Sequence, residues 1–191
     1  MLRTKPPPLP PPPSNPRSKI SPSVLKLRTT PPSTYQPPKP PPSADLPPAP
    51  TGPYFFYGTL TDPSMIAEIL DLAQELELRP ASVLGYKCKM WGHYPALVDE
   101  PGSTVEGAVY HVDTVEDGER LAAYETRNYR AESCVVRYAD NQGPSQDFGY
   151  AFKFVGDPRE LTEGNFELRT WLRRMGRQKA VDKLDARMRR D

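Results

Sequence analysis

Proline decides the layout of this chain. Of its 26 prolines, 20 lie in residues 1–53, which leaves six for the next 138. Proline fixes φ and lacks an N–H, so a tract this dense can neither run a helix nor sit inside a sheet. The tract also carries seven Lys/Arg against one acid, Asp45, for a net charge of +6, and its only aromatic is Tyr35. It cannot bury enough apolar surface to offset the entropy of ordering. Residues 1–52 are therefore expected to form a disordered basic arm, in part polyproline II. The rest is −5, since the whole chain is +1. It is long enough for one packed domain, expected over 53–175, with a charged helical tail over 176–191.

Several function classes fall away. An acidic folded part argues against a nucleic-acid surface. No apolar run approaches the length of a membrane span. Proline in "MLRTKPPPLP" is incompatible with a transit-peptide helix and with the apolar core of a signal peptide, so a cytoplasmic protein is expected. Cys88 and Cys134 are isolated and read as free thiols, with no CxxC pair to hold zinc. Neither GxGxxG nor GxxxxGK[ST] occurs. His93 and His111 have no nucleophile motif beside them, and the scattered carboxylates lack the density of a metal site.

The pattern along the folded part mixes periods. "YFFY" reads as a buried strand ending at Gly58. Asp62-Pro63 reads as a helix N-cap with proline at the first helical position. Met65, Ile66, Ile69, Leu70, Ala73 and Leu76 then recur at helical spacing, and Arg79-Pro80 is expected to close that helix. Strands follow at 86–90, at "YPALV" and at "TVEGAVYHV", the last two divided by a turn at Glu100-Pro101-Gly102. Segment 114–125 reads as a helix with Val115, Leu121 and Tyr124 inward. "RAESCVVRY" and "FGYAFKFV" form a hairpin across Asn141–Asp147, with Phe148, Tyr150, Phe152 and Phe154 on one face. Asp157-Pro158 opens the last helical region, where Phe166 and Trp171 dock and 173–191 is expected to be helical and exposed. Helices do not alternate regularly with strands, so a doubly wound sheet is excluded. The class expected is α+β, a small, mostly antiparallel barrel of about six strands flanked by helices.

Two stretches carry chemistry. In "YGTL" a strand breaks at glycine just before a helix, and successive N–H groups in such a loop make a concave anion site. The same letters also serve an ordinary tight connection. In "LAAYETRNYR", Glu125 ends a helix beside Tyr124 and four residues before Tyr129. A carboxylate against aromatic surface loses hydration and becomes a stronger base, although a lone helix-terminal glutamate is commonly just solvated.

Taken in order, "FFYGTL", "LGYKCKMWGHYPALV", "STVEGAVYHVD", "LAAYETRNY" and "GYAFKFV" resemble the γ-glutamylcyclotransferase-like superfamily, nearest its avirulence-induced-gene-like branch. The likeness covers roughly 54–172, and "KMWG" and "YET" are most similar to fungal members. The resemblance implies a six-stranded barrel flanked by helices and an acyltransferase-type reaction. The α-amino group of a γ-glutamyl amide closes on its own side-chain carbonyl, releasing 5-oxoproline and an amine or amino acid, with no metal or cofactor. Tyr57, Gly58, Thr59 and Leu60 would bind the substrate and Glu125 would be the catalytic base. Tyr129 would wall the pocket or hold the glutamate. Candidate substrates are γ-glutamyl amino acids, γ-glutamyl amines and glutathione-like conjugates. The residue after the glutamate, often glycine in relatives, is Thr126 here. A non-catalytic module of the same fold, binding a small acid or a protein, is the alternative.

The arm adds one pattern. Lys5 to Pro11 fits basic-x-x-Pro-x-x-Pro, which suits a weak SH3-type partner, although so proline-rich a tract also serves as a plain spacer. Deleting residues 1–52 is expected to leave 5-oxoproline release intact at low and moderate salt, measured on the purified protein. A large loss at either salt would place the arm in the working site.

Overall fold

The computed structural model of the chain describes residues 48–74 and 76–189. The expected arm up to residue 47, with its Lys5–Pro11 pattern, lies outside the described residues. The chain is already engaged just before residue 53. The Pro50 carbonyl accepts the Tyr54 hydroxyl at 2.8 Å, and strand β1 spans Gly52–Phe56.

Side chains alternate across a strand, so the consecutive aromatics of β1 enter two different cores. Phe55 points into a barrel filled by Val83, Leu97, Val105, Val109, Val136 and Ala151. Tyr54 and Phe56 point outward into a second layer with Ile66, Leu121, Phe152, Trp171 and Leu172. β1 pairs antiparallel with β3 (Tyr94–Val112) and parallel with β5 (Gln146–Phe154). β3 pairs with β2 (Arg79–Trp91), β2 with β4 (Tyr129–Tyr138), and β4 with β5, which closes a ring of five strands. A short β6 (Leu161–Thr162) adds to Met90 and Trp91. Four helices flank the ring: α1 (Pro63–Leu70), α2 (Val115–Glu125), α3 (Leu168–Arg174) and α4 (Gln178–Met188). This is the small, mostly antiparallel barrel with outer helices that the residue pattern called for, closed by five strands with the sixth added at its edge. None of the helices among the described residues is long and apolar enough to cross a membrane.

The caps were legible. The Asp62 carboxylate accepts the Ser64 amide at 3.1 Å with Pro63 at the first helical position, and the Thr114 hydroxyl accepts the Asp117 amide at 3.1 Å. Several boundaries were not. α1 stops at Leu70, because Asp71 turns left-handed at φ 56°, and Leu76 and Leu78 reach the core from outside any helix. Arg79 and Pro80 open β2 instead of closing α1. The cause is distant in sequence: Arg79 donates to the Asp140 carboxylate at 2.8 Å and stacks 3.7 Å over the Tyr138 ring. Glu100-Pro101-Gly102 does not divide two strands. It bulges out of the single strand β3, whose register to β2 jumps from Leu84↔Thr104 to Tyr86↔Asp99.

Exposure brings further corrections. Val115 is 43% exposed, whereas Leu121 and Tyr124 are buried as expected. Phe148 shares its strand face with Phe152 and Phe154 but is 82% exposed, because the helical layer covers β5 only from Tyr150 onward. The end of the chain is not a free helix: α4 buries Ala180 and Val181, the latter to 1% exposure, against the same layer that holds Trp171 and Phe166.

Val181→Ala removes two buried carbon groups and is expected to destabilise the protein by about 2 kcal/mol in urea unfolding. Lys179→Ala, on the exposed side of the same helix, should stay within about 0.5 kcal/mol.

Candidate active site

The loop after β1 is shaped by a close approach. Gly58 lies against Pro95 of β3, where a Cβ would stand 2.5 Å from the proline Cγ, so only glycine fits. A single 3₁₀ turn follows over Thr59–Thr61. Its first carbonyl, Gly58 O, accepts both the Thr61 amide at 3.0 Å and the Thr61 hydroxyl at 2.5 Å. The turn runs straight into the Asp62 cap of α1. The loop is therefore stapled at its start by packing and at its end by hydrogen bonds.

Helix α2 brings the carboxylate. Its last residue, Glu125, is 5% exposed. Glu125, Tyr57, Gly58 and Leu60 line one narrow cleft with Phe55, Phe56 and Phe152. Two sequence-distant segments, 57–60 and 125, thus meet. Thr59 stands behind them, fully buried, where its Oγ1 accepts the Tyr124 hydroxyl at 3.0 Å. That bond ties the loop to the helix that carries Glu125. Tyr129, the first residue of β4, does not line the cleft; its hydroxyl donates to the Pro95 carbonyl at 3.1 Å.

The tyrosines around the carboxylate cannot act as bases. Burial pushes the Tyr57 phenol well above the ordinary tyrosine range, and the Glu125 charge pushes it further. Burial also raises the Tyr129 phenol, with the Glu125 charge next. Tyr124 is raised mainly by burial, against the opposing pull of its bond to Thr59. All three stay protonated and serve as donors. Tyr57 uses its hydroxyl structurally, donating to Phe152 O at 2.5 Å and accepting the Leu97 amide at 3.2 Å. It thereby bridges β5 and β3 where their direct pairing is reduced to Leu97↔Lys153. Glu125 supplies the only carboxylate among the lining residues.

Residues that the sequence did not mark support the loop from behind. Arg177, between α3 and α4, donates to Glu68 Oε2 at 2.7 Å and to Ser64 Oγ at 3.1 Å, and lies 3.6 Å from Asp62 Oδ2. No periodicity links positions 62 and 177. Cys88 and Cys134 form no disulfide and take no part in the lining, and burial pushes Cys134 up to about 11. His93 and His111 are exposed or nearly so and also lie outside the cleft.

Comparison with known proteins places the chain in a family. The family model described as γ-glutamyl cyclotransferase, AIG2-like, matches residues 54–172. Two solution structures of Arabidopsis thaliana proteins share the fold. One has 23% identity and a TM-score of 0.51, covering 77% of this chain and 95% of its own. The other has 23% identity and a TM-score of 0.54, covering 76% and 85%. None of the curated proteins matches the chain.

Tyr57→Phe deletes one hydroxyl and leaves the Leu97 amide and the Phe152 carbonyl without that partner. The expected loss is about 1–3 kcal/mol, read as a lower denaturation midpoint at unchanged m-value.

Proposed function

The chain belongs to the γ-glutamyl cyclotransferase, AIG2-like family, and we propose that it cyclises γ-glutamyl amides to 5-oxoproline. One observation carries this reading: Glu125 and the 57–60 loop, far apart in sequence, line the same cleft.

The chemistry asks little of the protein. The substrate holds its own nucleophile, so the large term is restriction to a folded-back conformer with amine and carbonyl in contact. Amide groups of the 57–60 loop bind the α-carboxylate, and the aromatic walls Phe55, Phe56 and Phe152 exclude water from the chain between. Glu125 takes a proton from the α-ammonium. The freed amine attacks the γ-carbonyl carbon, and backbone N–H groups stabilise the oxyanion. As the tetrahedral centre collapses, the amide C–N bond breaks and Glu125 returns its proton to the leaving nitrogen, while the ring nitrogen gives up its second proton and the amine departs as an ammonium. Atoms and charge balance without an external reactant.

A narrow, largely aromatic cleft suits the γ-glutamyl end common to all candidate substrates. The leaving group would be an amino acid, an amine or a glutathione-like peptide. The test is release of 5-oxoproline by the purified protein across that panel. Folded protein that releases none from any compound would favour the non-catalytic reading. In the active protein, Glu125→Gln keeps the volume and removes the basicity. Turnover is expected to fall by at least about a hundredfold with folding nearly unaffected, and a fully active variant would remove Glu125 from the mechanism.

A further inference from the structure

Helix α2 ends at Glu125, and the chain reverses at the next residue. Thr126 has φ 70° and ψ 178°, a combination that glycine adopts readily and a β-branched residue resists. Two other described non-glycine residues have positive φ, Asp71 at 56° and Asn141 at 53°. Both are of the short polar types that tolerate left-handed backbone. Thr126 is not.

The surroundings hold it there from both sides. Upstream, Leu121 and Tyr124 anchor α2 in the outer core. Downstream, the Thr126 carbonyl accepts the Tyr129 amide at 3.3 Å, and the Asn128 carbonyl accepts the Val155 amide at 2.8 Å. The Tyr129 ring then packs edge-on against Trp91 and Phe154, with centroids 6.2 and 5.5 Å away. Only a sharp reversal can join these two fixed ends in three residues, and that reversal places Glu125 and Tyr129 beside each other.

We infer that Thr126 is a positioning residue whose strained backbone holds Glu125 rigidly at the cleft. This rests on the cyclotransferase reading proposed above. Glycine would take the same dihedral angles without resistance, but it would also be free to leave them. The branched side chain removes those alternatives. Threonine at this position thus lowers stability and stiffens the carboxylate, a trade found at working sites.

The experiment compares Thr126→Gly with Asp71→Gly in the full chain. Asp71 is exposed, outside the cleft, and also has positive φ. Relief of backbone strain is expected to raise Tm by about 2–5 °C in Thr126→Gly and by less in Asp71→Gly, whose residue type tolerates its left-handed backbone. Thr126→Gly alone should lower kcat by about tenfold with KM within about twofold, because a loosened base misses the productive geometry. It should also speed hydrogen exchange of the Tyr129 amide by about tenfold, as the turn opens more often. Asp71→Gly should leave kcat and that exchange rate unchanged. A Thr126→Gly protein that keeps wild-type kcat and wild-type Tyr129 exchange, or that melts below wild type, overturns the inference. Should the wild-type chain release no 5-oxoproline from any compound, the proposed function falls. Tm and amide exchange then still decide whether Thr126 is strained and stiffens the turn.

Discussion

Strand β1 is buried on both faces, and the arrangement of the rest follows from that. Phe55 on one face and Tyr54 and Phe56 on the other are each at most 2% exposed. Rings of this size release a large apolar area from water only if each face is covered. Curling the sheet until β1 lies between β3 and β5 covers one face. Laying helices over the outside covers the other. The parallel contact of β1 with β5 is where the ring closes, and on the other side of β1 Gly107 keeps β3 close. A Cβ there would stand 2.0 Å from the Phe56 carbonyl oxygen.

The cleft sits where this doubly buried strand ends. Past Phe56 the chain leaves the barrel through a gap only glycine can pass, and Leu60 and the α1 cap turn it under the helical layer. α2 arrives at the same place because Leu121 and Tyr124 must bury in that layer. Glu125 is the next residue, so it is carried in with them. Burial of the carboxylate is thus a by-product of packing its neighbours. The Tyr124 to Thr59 bond couples the two approaching segments directly. Around them stand phenols that burial holds protonated, an environment that orients a carboxylate without offering a competing base.

The outer layer extends further than charge patterning implies. Arg177 joins the last two helices to the cap of α1 through Glu68, Ser64 and Asp62. Asp62 is 6% exposed, and a nearby guanidinium offsets part of the penalty of burying its charge. The C-terminal helices therefore belong to the same packing unit as the site loop. Arg173, Arg174, Lys179 and Lys183 point to solvent while Trp171, Leu172 and Val181 point in. A charged sequence with a narrow apolar stripe reads as exposed until the surface that covers the stripe is known.

Local and periodic properties were legible from residue types alone. The aromatic strand, both helix N-caps, the hairpin and the strand-rich class follow from steric preferences and 2.0 or 3.6 periodicities, which act between near neighbours. Glu125 and Tyr57 through Leu60 could be singled out because a helix-terminal glutamate among tyrosines and a strand broken at glycine are local signals. Other features had no local signature. Arg79 opens a strand because Asp140 and Tyr138 lie sixty residues away in the chain and adjacent in space. Glu100–Gly102 bulges because β2 and β3 pair on both sides of it. Tyr57 closes a gap between two strands that no pattern in its own segment mentions. The meeting of 57–60 with 125, and the left-handed backbone that holds it at Thr126, exist only once the barrel has closed. Near-neighbour sterics and periodic burial are written in the order of residues. Register, strand closure and the strain at a junction depend on contacts between segments whose separation along the chain carries no information about their distance in space.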